Sequence, residues 1–205
     1  MEINIKPLEI AANAAKEFLQ KVITPPLEEI GLLFADKVKY WRLKNQINIL
    51  IKAEDYLKQK GIKTRKVNIK VMAPMLEEIS MEEEDSMQTR WAALMANTVS
   101  EGSTINTTLY SHILGQMTRS DAELFDIIAY ACTTVRKNEQ ISVTVKEYTT
   151  IHADQLMHIN RDAYVVIDNL LRLRLIKEIR PDSMDLEFVT LTDLGFRFIT
   201  ACRFQ

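Results

Sequence analysis

The sequence is poor in the residues that interrupt helices or crosslink chains. Its 205 residues include five glycines, five prolines and two cysteines, whereas nearly half are apolar and about a quarter are charged. This composition excludes a collagen-like repeat and a disordered chain, and it is typical of a helix-rich globular protein. Cys132 and Cys202 stand alone in apolar runs, without a CxxC spacing, so we expect two reduced, buried thiols and a cytoplasmic protein.

Long apolar runs are also missing. No stretch of eighteen or more apolar residues occurs, and the opening residues MEINIKPLEI lack the basic and apolar regions of a signal peptide. We therefore expect a chain that is neither exported nor membrane-spanning. GxGxxG, phosphate-loop and GxSxG motifs are absent from the sequence, and its three histidines are scattered. The sequence therefore predicts no catalytic residue, no cofactor and no metal site.

An amphipathic helix is predicted near the N-terminus. Apolar residues recur there at the spacing of one helical face, and they include Leu8, Ala12, Ala15, Phe18, Leu19 and Val22. The opposite face mixes acidic and basic residues, unlike the Lys/Arg-rich face of a helix that lies on anionic lipid. We predict that this stripe packs against protein, in the core or at an interface between chains, with membrane contact as the alternative.

A long helix is predicted from Pro26 to Lys60. Thr24 is a good N-cap, proline suits the first helical turn, and Gly61 suits a left-handed C-cap. Apolar residues around INILI spread over most of the helix circumference, which indicates packing on more than one side. This helix is the predicted spine of an N-terminal helical bundle over residues 1–115.

Charge changes sign abruptly along the bundle. Residues 36–70 hold eleven Lys/Arg against three Asp/Glu, whereas residues 71–101 hold one Arg against seven acids. The two segments either pair with each other or form solvated faces. Alternatively, the basic side chains bind the phosphates of a nucleic acid. The candidate residues for that role are Lys37, Lys39, Arg42, Lys44, Lys63, Arg65, Lys66 and Lys70.

The acidic residues cluster around a predicted helix start. Ser80 and Glu83 have the spacing of a capping box, which would place residues 82–85 at the positive end of a helix dipole. Glu78, Glu82 and Asp85 would also share a face and could hold a metal ion. Because no metal-binding motif accompanies them, helix capping is the interpretation that we prefer.

Three successive helical segments carry a family resemblance. They read IGLLFADKVKYWRLKNQINIL, APMLEEISMEEEDSMQTRWAALMANTV and TTLYSHILGQMTRSDAELFDIIAY. From about Glu28 to Phe204, the chain resembles the bacterial Abi-alpha family, named for abortive-infection phage resistance. The resemblance lies in the order and type of these helical segments. The resemblance implies a role in phage defence and no known active site.

The last third of the chain predicts a second domain over residues 116–205. Ser120 and Glu123 form a second candidate capping box, and a later helix has Tyr164, Ile167 and Leu170 on one face. The segments LIKEI and EFVTL then flank turn residues as a hairpin, before a last helix. Helix, short strand, helix, hairpin and helix is the order of a winged helix-turn-helix.

Electrostatics argue against DNA as the ligand of this domain. Residues 120–205 hold ten Lys/Arg and thirteen Asp/Glu, whereas DNA-binding domains carry a basic face. The exposed positions of the helix before the hairpin are predicted to be Arg161, Asp162, Val165, Asp168, Asn169 and Arg172. If this helix bound DNA, the carboxylates of Asp162 and Asp168 would lie close to the phosphates and repel them. We therefore interpret this domain as a protein-docking or dimerisation element.

Taken together, these patterns predict a mainly helical protein with an N-terminal bundle and a winged-helix-like C-terminal module. Its predicted function is phage defence without catalysis, through contacts with other proteins and as a homo-oligomer. One alternative is a nucleic-acid-binding regulator that uses residues 37–70. Another is a membrane-perturbing effector that uses the N-terminal amphipathic helix.

Overall fold

The structure, a computed structural model, describes residues 6–24, 40–138, 151–152, 162–179 and 188–204. Its helices are α1 (Lys6–Val22), α2 (Tyr40–Gln59), α3 (Ile69–Met81), α4 (Asp85–Val99), α5 (Thr107–Leu114), α6 (Arg119–Asn138), α7 (Ala163–Arg172) and α8 (Asp193–Ala201). Its strands are β1 (Ile23–Thr24), β2 (Val67–Asn68), β3 (Ile151–His152), β4 (Ile176–Ile179) and β5 (Phe188–Leu191). The described chain is therefore mainly helical, as predicted.

Backbone contacts divide the chain into two units. The first comprises Met1–Gly115 together with Ala201–Gln205, and the second comprises Gln116–Thr200. The last residues fall in the first unit because Asn97 Nδ2 donates hydrogen bonds to the carbonyls of Ala201 at 2.8 Å and Arg203 at 3.2 Å. The ring of Phe204 also stacks on that of Tyr56, with centroids 4.3 Å apart. The domain predicted over residues 116–205 includes this tail, whereas backbone contacts group it with the first unit.

Helix α2 is the centre of the first unit. It contacts α1, α3 and α4. Ile47, Ile49 and Leu50, which point in different directions around the helix, are all buried. Packing on more than one side, predicted from INILI, is therefore confirmed. The helix is described from Tyr40 onward, and residues 26–39 of the predicted spine lie outside the described residues.

The C-terminal end of α2 is set by Gly61. Its φ is 63°, a left-handed conformation that disfavours residues with a Cβ atom. The Gly61 N–H donates to the Lys58 carbonyl at 3.1 Å, and the Ile62 N–H donates to the Leu57 carbonyl at 2.9 Å. These two bonds form a Schellman motif, which satisfies carbonyls that the helix itself leaves unpaired. The predicted left-handed cap is confirmed.

A short parallel pairing connects distant parts of the first unit. Strand β1 runs beside β2, with Ile23 opposite Val67 and Thr24 opposite Asn68. Asn68 then caps α3, because its Oδ1 accepts a hydrogen bond from the Lys70 N–H at 2.9 Å. Each strand has two residues, too few for a periodic pattern to predict the pairing.

The second unit packs two helices against a small sheet. Its strand order is β3-β5-β4, all antiparallel, and Ile176 to Ile179 of β4 pair with Leu191 to Phe188 of β5. The predicted pairing of LIKEI with EFVTL is confirmed, whereas the turn residues 181–183 lie outside the described residues. Helix α6 contacts α7, β3 and β5. Phe125 of α6 and Phe198 of α8 are both buried, with ring centroids 6.1 Å apart.

Neither predicted capping box forms. Ser80 is a buried residue of α3, and its hydroxyl donates to the Glu77 carbonyl at 2.6 Å. Helix α4 begins later, at Asp85, which is the acidic residue of its first turn. The acids at 82–84 therefore belong to the link between α3 and α4.

A capping box does form at α6, two residues before the predicted one. The Thr118 N–H donates to Asp121 Oδ2 at 2.7 Å, and the Asp121 N–H donates to Thr118 Oγ1 at 3.2 Å. This is the reciprocal arrangement of a capping box, with aspartate in place of glutamate. Ser120, the predicted cap, is an exposed residue inside the helix.

Candidate functional site

The candidate phosphate-binding residues fall into three groups. Lys37 and Lys39 lie outside the described residues. Arg42 and Lys44 belong to α2, where Lys44 is exposed and Arg42 is half-buried. The remaining four, Lys63, Arg65, Lys66 and Lys70, lie between the end of α2 and the first turn of α3, and all of them are exposed. The structure thus separates the cations of the helix from those of the segment that follows it.

Several cations of α2 are held by side chains of the same unit. Lys52 Nζ lies 2.5 Å from the carboxylate of Asp85. Glu54 lies between Lys58, at 3.0 Å, and Lys21, at 3.7 Å. Pairing between the basic and acidic segments is therefore present at Lys52 and Asp85. Arg42 instead donates to a neutral partner, the hydroxyl of Ser80, from Nε and Nη2.

A buried polar network fixes the link between α3 and α4. Asn45 Nδ2 donates to the Ser80 carbonyl at 3.3 Å, and Gln46 Nε2 donates to the Leu76 carbonyl at 2.8 Å. Gln88 Nε2 donates to the Glu82 carbonyl at 2.9 Å. The Ser80 and Glu82 carbonyls lie at the end of α3 and just beyond it, where helical partners run out, and the amides of Asn45 and Gln88 satisfy them. The network is a structural support and not an open binding site.

Glu82 sits at the edge of this network. Burial raises the pKa of its carboxyl group, while hydrogen bonding from the Glu84 backbone N–H, which donates to Glu82 Oε1 at 3.0 Å, opposes that rise. The acid is half-buried in a chain segment that three amides hold in place. We therefore expect the protonation of Glu82 to be coupled to the stability of the fold.

The segment that follows α2 is the most basic exposed feature of the first unit. We call residues 60–70 the basic loop. It contains Lys60, Lys63, Arg65, Lys66 and Lys70, all exposed, and no acidic residue. Among the described residues, no carboxylate lies within salt-bridge distance of any of these five cations. The acids of α3 and of its link to α4 therefore do not neutralise the loop.

The apolar stripe of α1 faces the interior of the first unit. Ala15, Phe18, Leu19 and Val22 are buried, and the helix packs on α2. Ala12 is half-buried, and the side chain of Leu8 lies outside the described residues. These four residues therefore form part of the core of the first unit, which is one of the two placements predicted for the stripe.

Helix α7 presents its polar face to solvent. Asp162, Val165, Asp168 and Arg172 are exposed, as predicted, and Asn169 is half-buried, whereas Arg161 lies outside the described residues. Tyr164, which the sequence predicts on one face with Ile167 and Leu170, is 45% exposed, and Val165 is 70% exposed. The buried face consists of Ala163, Val166, Ile167 and Leu170.

Arg172 is held in place by its neighbours in the second unit. Its Nε and Nη2 donate to Asn169 Oδ1 at 3.1 and 2.7 Å, and its Nη1 donates to Gln116 Oε1 at 2.8 Å. A guanidinium engaged in this way has few donors left for a phosphate. The same face carries the exposed carboxylates of Asp162 and Asp168, two negative charges beside the one positive charge of Arg172.

Both cysteines are buried and form no disulfide, as the sequence predicted. Burial also raises the pKa of the Cys132 thiol, so its reactive thiolate form is disfavoured. No group of three or more His, Cys, Asp or Glu residues that could hold a metal ion occurs in the described parts of the chain.

No helix within the described ranges is long and apolar enough to cross a membrane.

Comparison with known proteins identifies a family. Residues 44–202 match the model of a protein family described as abortive infection alpha. Searches of curated proteins and of solved structures found no match. The matched range begins in α2 and extends to the tail that follows α8.

Proposed function

The chain belongs to the abortive infection alpha family, and from this premise we propose that it is a phage-defence protein that acts by binding another protein, without catalysis. The family suggests the defence role. The mode of action rests on the surface of the second unit, where apolar side chains and carboxylates are exposed together on α7. We expect the first partner to be a second copy of the chain.

The exposure of Val165 carries this proposal. An apolar side chain that is 70% exposed gains free energy when a partner covers it, at roughly 25 cal/mol per Å² of apolar area. Tyr164, its neighbour on the same helix, is 45% exposed and offers a ring with a polar end, a combination that is common in protein interfaces. We call the exposed side of α7, with Asp162, Tyr164, Val165 and Asp168, the docking face.

We further infer that the second unit is winged-helix-like. The order α6, β3, α7, β4, β5 and α8 supports this, since α7 then takes the position of a recognition helix before the hairpin. The charge of α7 does not suit DNA, because Asp162 and Asp168 are exposed and Arg172 is engaged by Asn169 and Gln116. A helix of this kind would meet protein rather than phosphates.

Phage plating tests the proposal. We would compare cells that produce the natural chain, the Val165→Asp variant and a Ser120→Asp control, with protein levels matched. Ser120 is an exposed residue of the same unit that does not belong to the docking face, so the control adds the same charge at a different position. We expect Val165→Asp to restore plaques and Ser120→Asp to retain protection. Full protection by both variants would refute a role for the docking face.

A further inference from the structure

We propose that the basic loop of the first unit binds the phosphodiester backbone of nucleic acid. The proposal extends beyond the docking face, since it concerns different residues in a different unit. It rests on the charge, the exposure and the fixed backbone of residues 60–70.

The charge of the loop is concentrated and unopposed. Five cations occur within eleven residues, and within the described residues none of them pairs with a carboxylate. Across the loop lies Glu101, an exposed acid whose backbone N–H donates to the Lys63 carbonyl at 2.8 Å. The loop itself, with five cations and no acid, therefore keeps a net positive charge beside this one acid. A polyanion therefore gains attraction and releases counterions when it binds there.

The loop backbone is held at several points. Thr64 bridges Ser100 in antiparallel fashion, and the Arg65 N–H donates to the Val99 carbonyl at 2.7 Å. These bonds tie the loop to the C-terminal end of α4, where carbonyls lack helical partners. The Schellman motif at Gly61 and the pairing of β2 with β1 fix its two ends. Because the backbone is already ordered, binding costs little additional conformational entropy.

The spacing of the cations suits a chain of phosphates. In an extended segment, residues two apart lie on the same side and are separated by roughly 6.6 Å. Lys63 and Arg65 are related in this way around the Thr64 bridge. Along one strand of a DNA duplex the charges repeat about every 3.4 Å of axis, so two cations on one side of the loop can contact neighbouring phosphates of the same strand.

The surroundings favour nucleic acid over a membrane. Amphipathic surfaces that bind lipid insert large apolar side chains beside their cations. No large hydrophobic residue of the basic loop is exposed, since Val67 is buried and Ile62 is half-buried. The loop also lacks aromatic residues on which unpaired bases could stack. We therefore expect contacts with the backbone and little dependence on base sequence.

Fluorescence anisotropy with the full chain tests this proposal. Labelled DNA and RNA duplexes of about 20 base pairs, of two unrelated sequences, would be titrated at about 50 and 200 mM salt. If each of the five cations neutralises one phosphate, affinity should fall about 500-fold between these salt concentrations. The DNA and RNA arms distinguish which nucleic acid is bound more tightly.

A double variant, Lys63→Gln with Lys66→Gln, should reduce the salt-dependent loss to about 40-fold, because two phosphate contacts are removed. The matched control, Lys16→Gln with Lys177→Gln, removes two exposed charges from elsewhere and should keep the full salt dependence. All four positions are exposed, so each double variant should have the same unfolding temperature as the natural chain. Thermal unfolding followed by circular dichroism checks this.

Three results would overturn the proposal. One is the absence of binding to either duplex at the lower salt concentration. Another is equal salt dependence in the loop variant and in the control. The third is flotation of the chain with vesicles of phosphatidylserine and phosphatidylcholine in the absence of duplex binding, which would assign the loop to a membrane surface.

Discussion

Arg42 donates two hydrogen bonds to the hydroxyl of Ser80, from Nε at 3.1 Å and from Nη2 at 2.9 Å. The hydroxyl in turn donates to the Glu77 carbonyl at 2.6 Å, so a cation of α2 and the last turn of α3 are joined through one buried serine. Because Arg42 is half-buried and bonded to Ser80, it does not belong to the exposed basic surface. The same relationship explains why Ser80 ends one helix instead of beginning the next.

We predict that Ser80→Ala destabilises the first unit. Removal of the hydroxyl leaves the partly buried Arg42 donors without their acceptor, which should lower the free energy of unfolding by about 1–2 kcal/mol. Urea denaturation followed by circular dichroism measures the change. Ser86→Ala is the control, because Ser86 is exposed, and it should change stability by less than about 0.5 kcal/mol. Equal effects of the two substitutions would contradict the role given to Ser80.

Gly195 is predicted to tolerate alanine far less well than Gly61. A Cβ atom at Gly195 would lie 2.0 Å from the Leu175 carbonyl oxygen, and backbone cannot move aside easily. A Cβ atom at Gly61 would meet no other atom, and its cost comes from the left-handed φ of 63°. We expect a loss of about 3 kcal/mol for Gly195→Ala and of about 1 kcal/mol for Gly61→Ala. Thermal unfolding compares the variants, and similar losses would argue against the close contact of Gly195 with Leu175.

Glu82 should make the first unit pH-sensitive. Burial raises the pKa of its carboxyl group, so the folded chain holds this proton more tightly than the unfolded chain does. The protonated carboxyl group of Glu82 therefore contributes to the stability of the folded state. This contribution is complete below the pKa of the unfolded state, and it is lost as pH rises through the higher pKa of the folded state. Glu82→Gln removes this loss and keeps an oxygen to accept the Glu84 N–H.

The expected result is that Glu82→Gln gains stability over the natural chain between about pH 4 and about pH 7, the range in which carboxyl groups titrate. Urea midpoints at both pH values measure this gain. Glu83→Gln is the matched control, since Glu83 is an exposed neighbour, and it should show a smaller dependence on pH. A gain for Glu82→Gln that does not change with pH would show that burial of the carboxyl group has no effect on stability.

Local signals in the sequence predicted part of the fold. Gly61 followed by a loop predicts a left-handed helix end, because that preference belongs to one residue and its backbone. The strand pairing of LIKEI with EFVTL follows from two nearby apolar segments separated by turn residues. The exposure of Asp162, Val165 and Asp168 follows from helical periodicity alone.

Structural features that depend on contacts between residues far apart in the sequence could not be predicted from local patterns. Ser80 and Glu83 have the spacing of a capping box, but Arg42, far away in sequence, engages the serine at a helix end. The β1–β2 pair has two residues in each strand, too few for a periodic pattern. The same limit applies to the basic loop. Composition cannot tell a cation paired with a carboxylate, such as Lys52, from an exposed one, such as Lys63.

The docking face should support self-association. We expect sedimentation equilibrium of the natural chain to give a mass that rises with protein concentration, because exposed apolar area on α7 is covered in the oligomer. Val165→Asp should remain monomeric over the same range, and Ser120→Asp should behave like the natural chain. A natural chain that stays monomeric throughout would contradict self-association.

Photocrosslinking from position 165 during phage infection tests protein contact at the docking face most directly. A photoreactive phenylalanine analogue would replace Val165 in one strain and exposed Ser120 in another, both positions belonging to the second unit. We predict that irradiation joins the chain to a second polypeptide, identified by mass spectrometry, from position 165 and not from position 120. Crosslinks that are absent at 165, or equally frequent at both positions, would contradict action through the docking face.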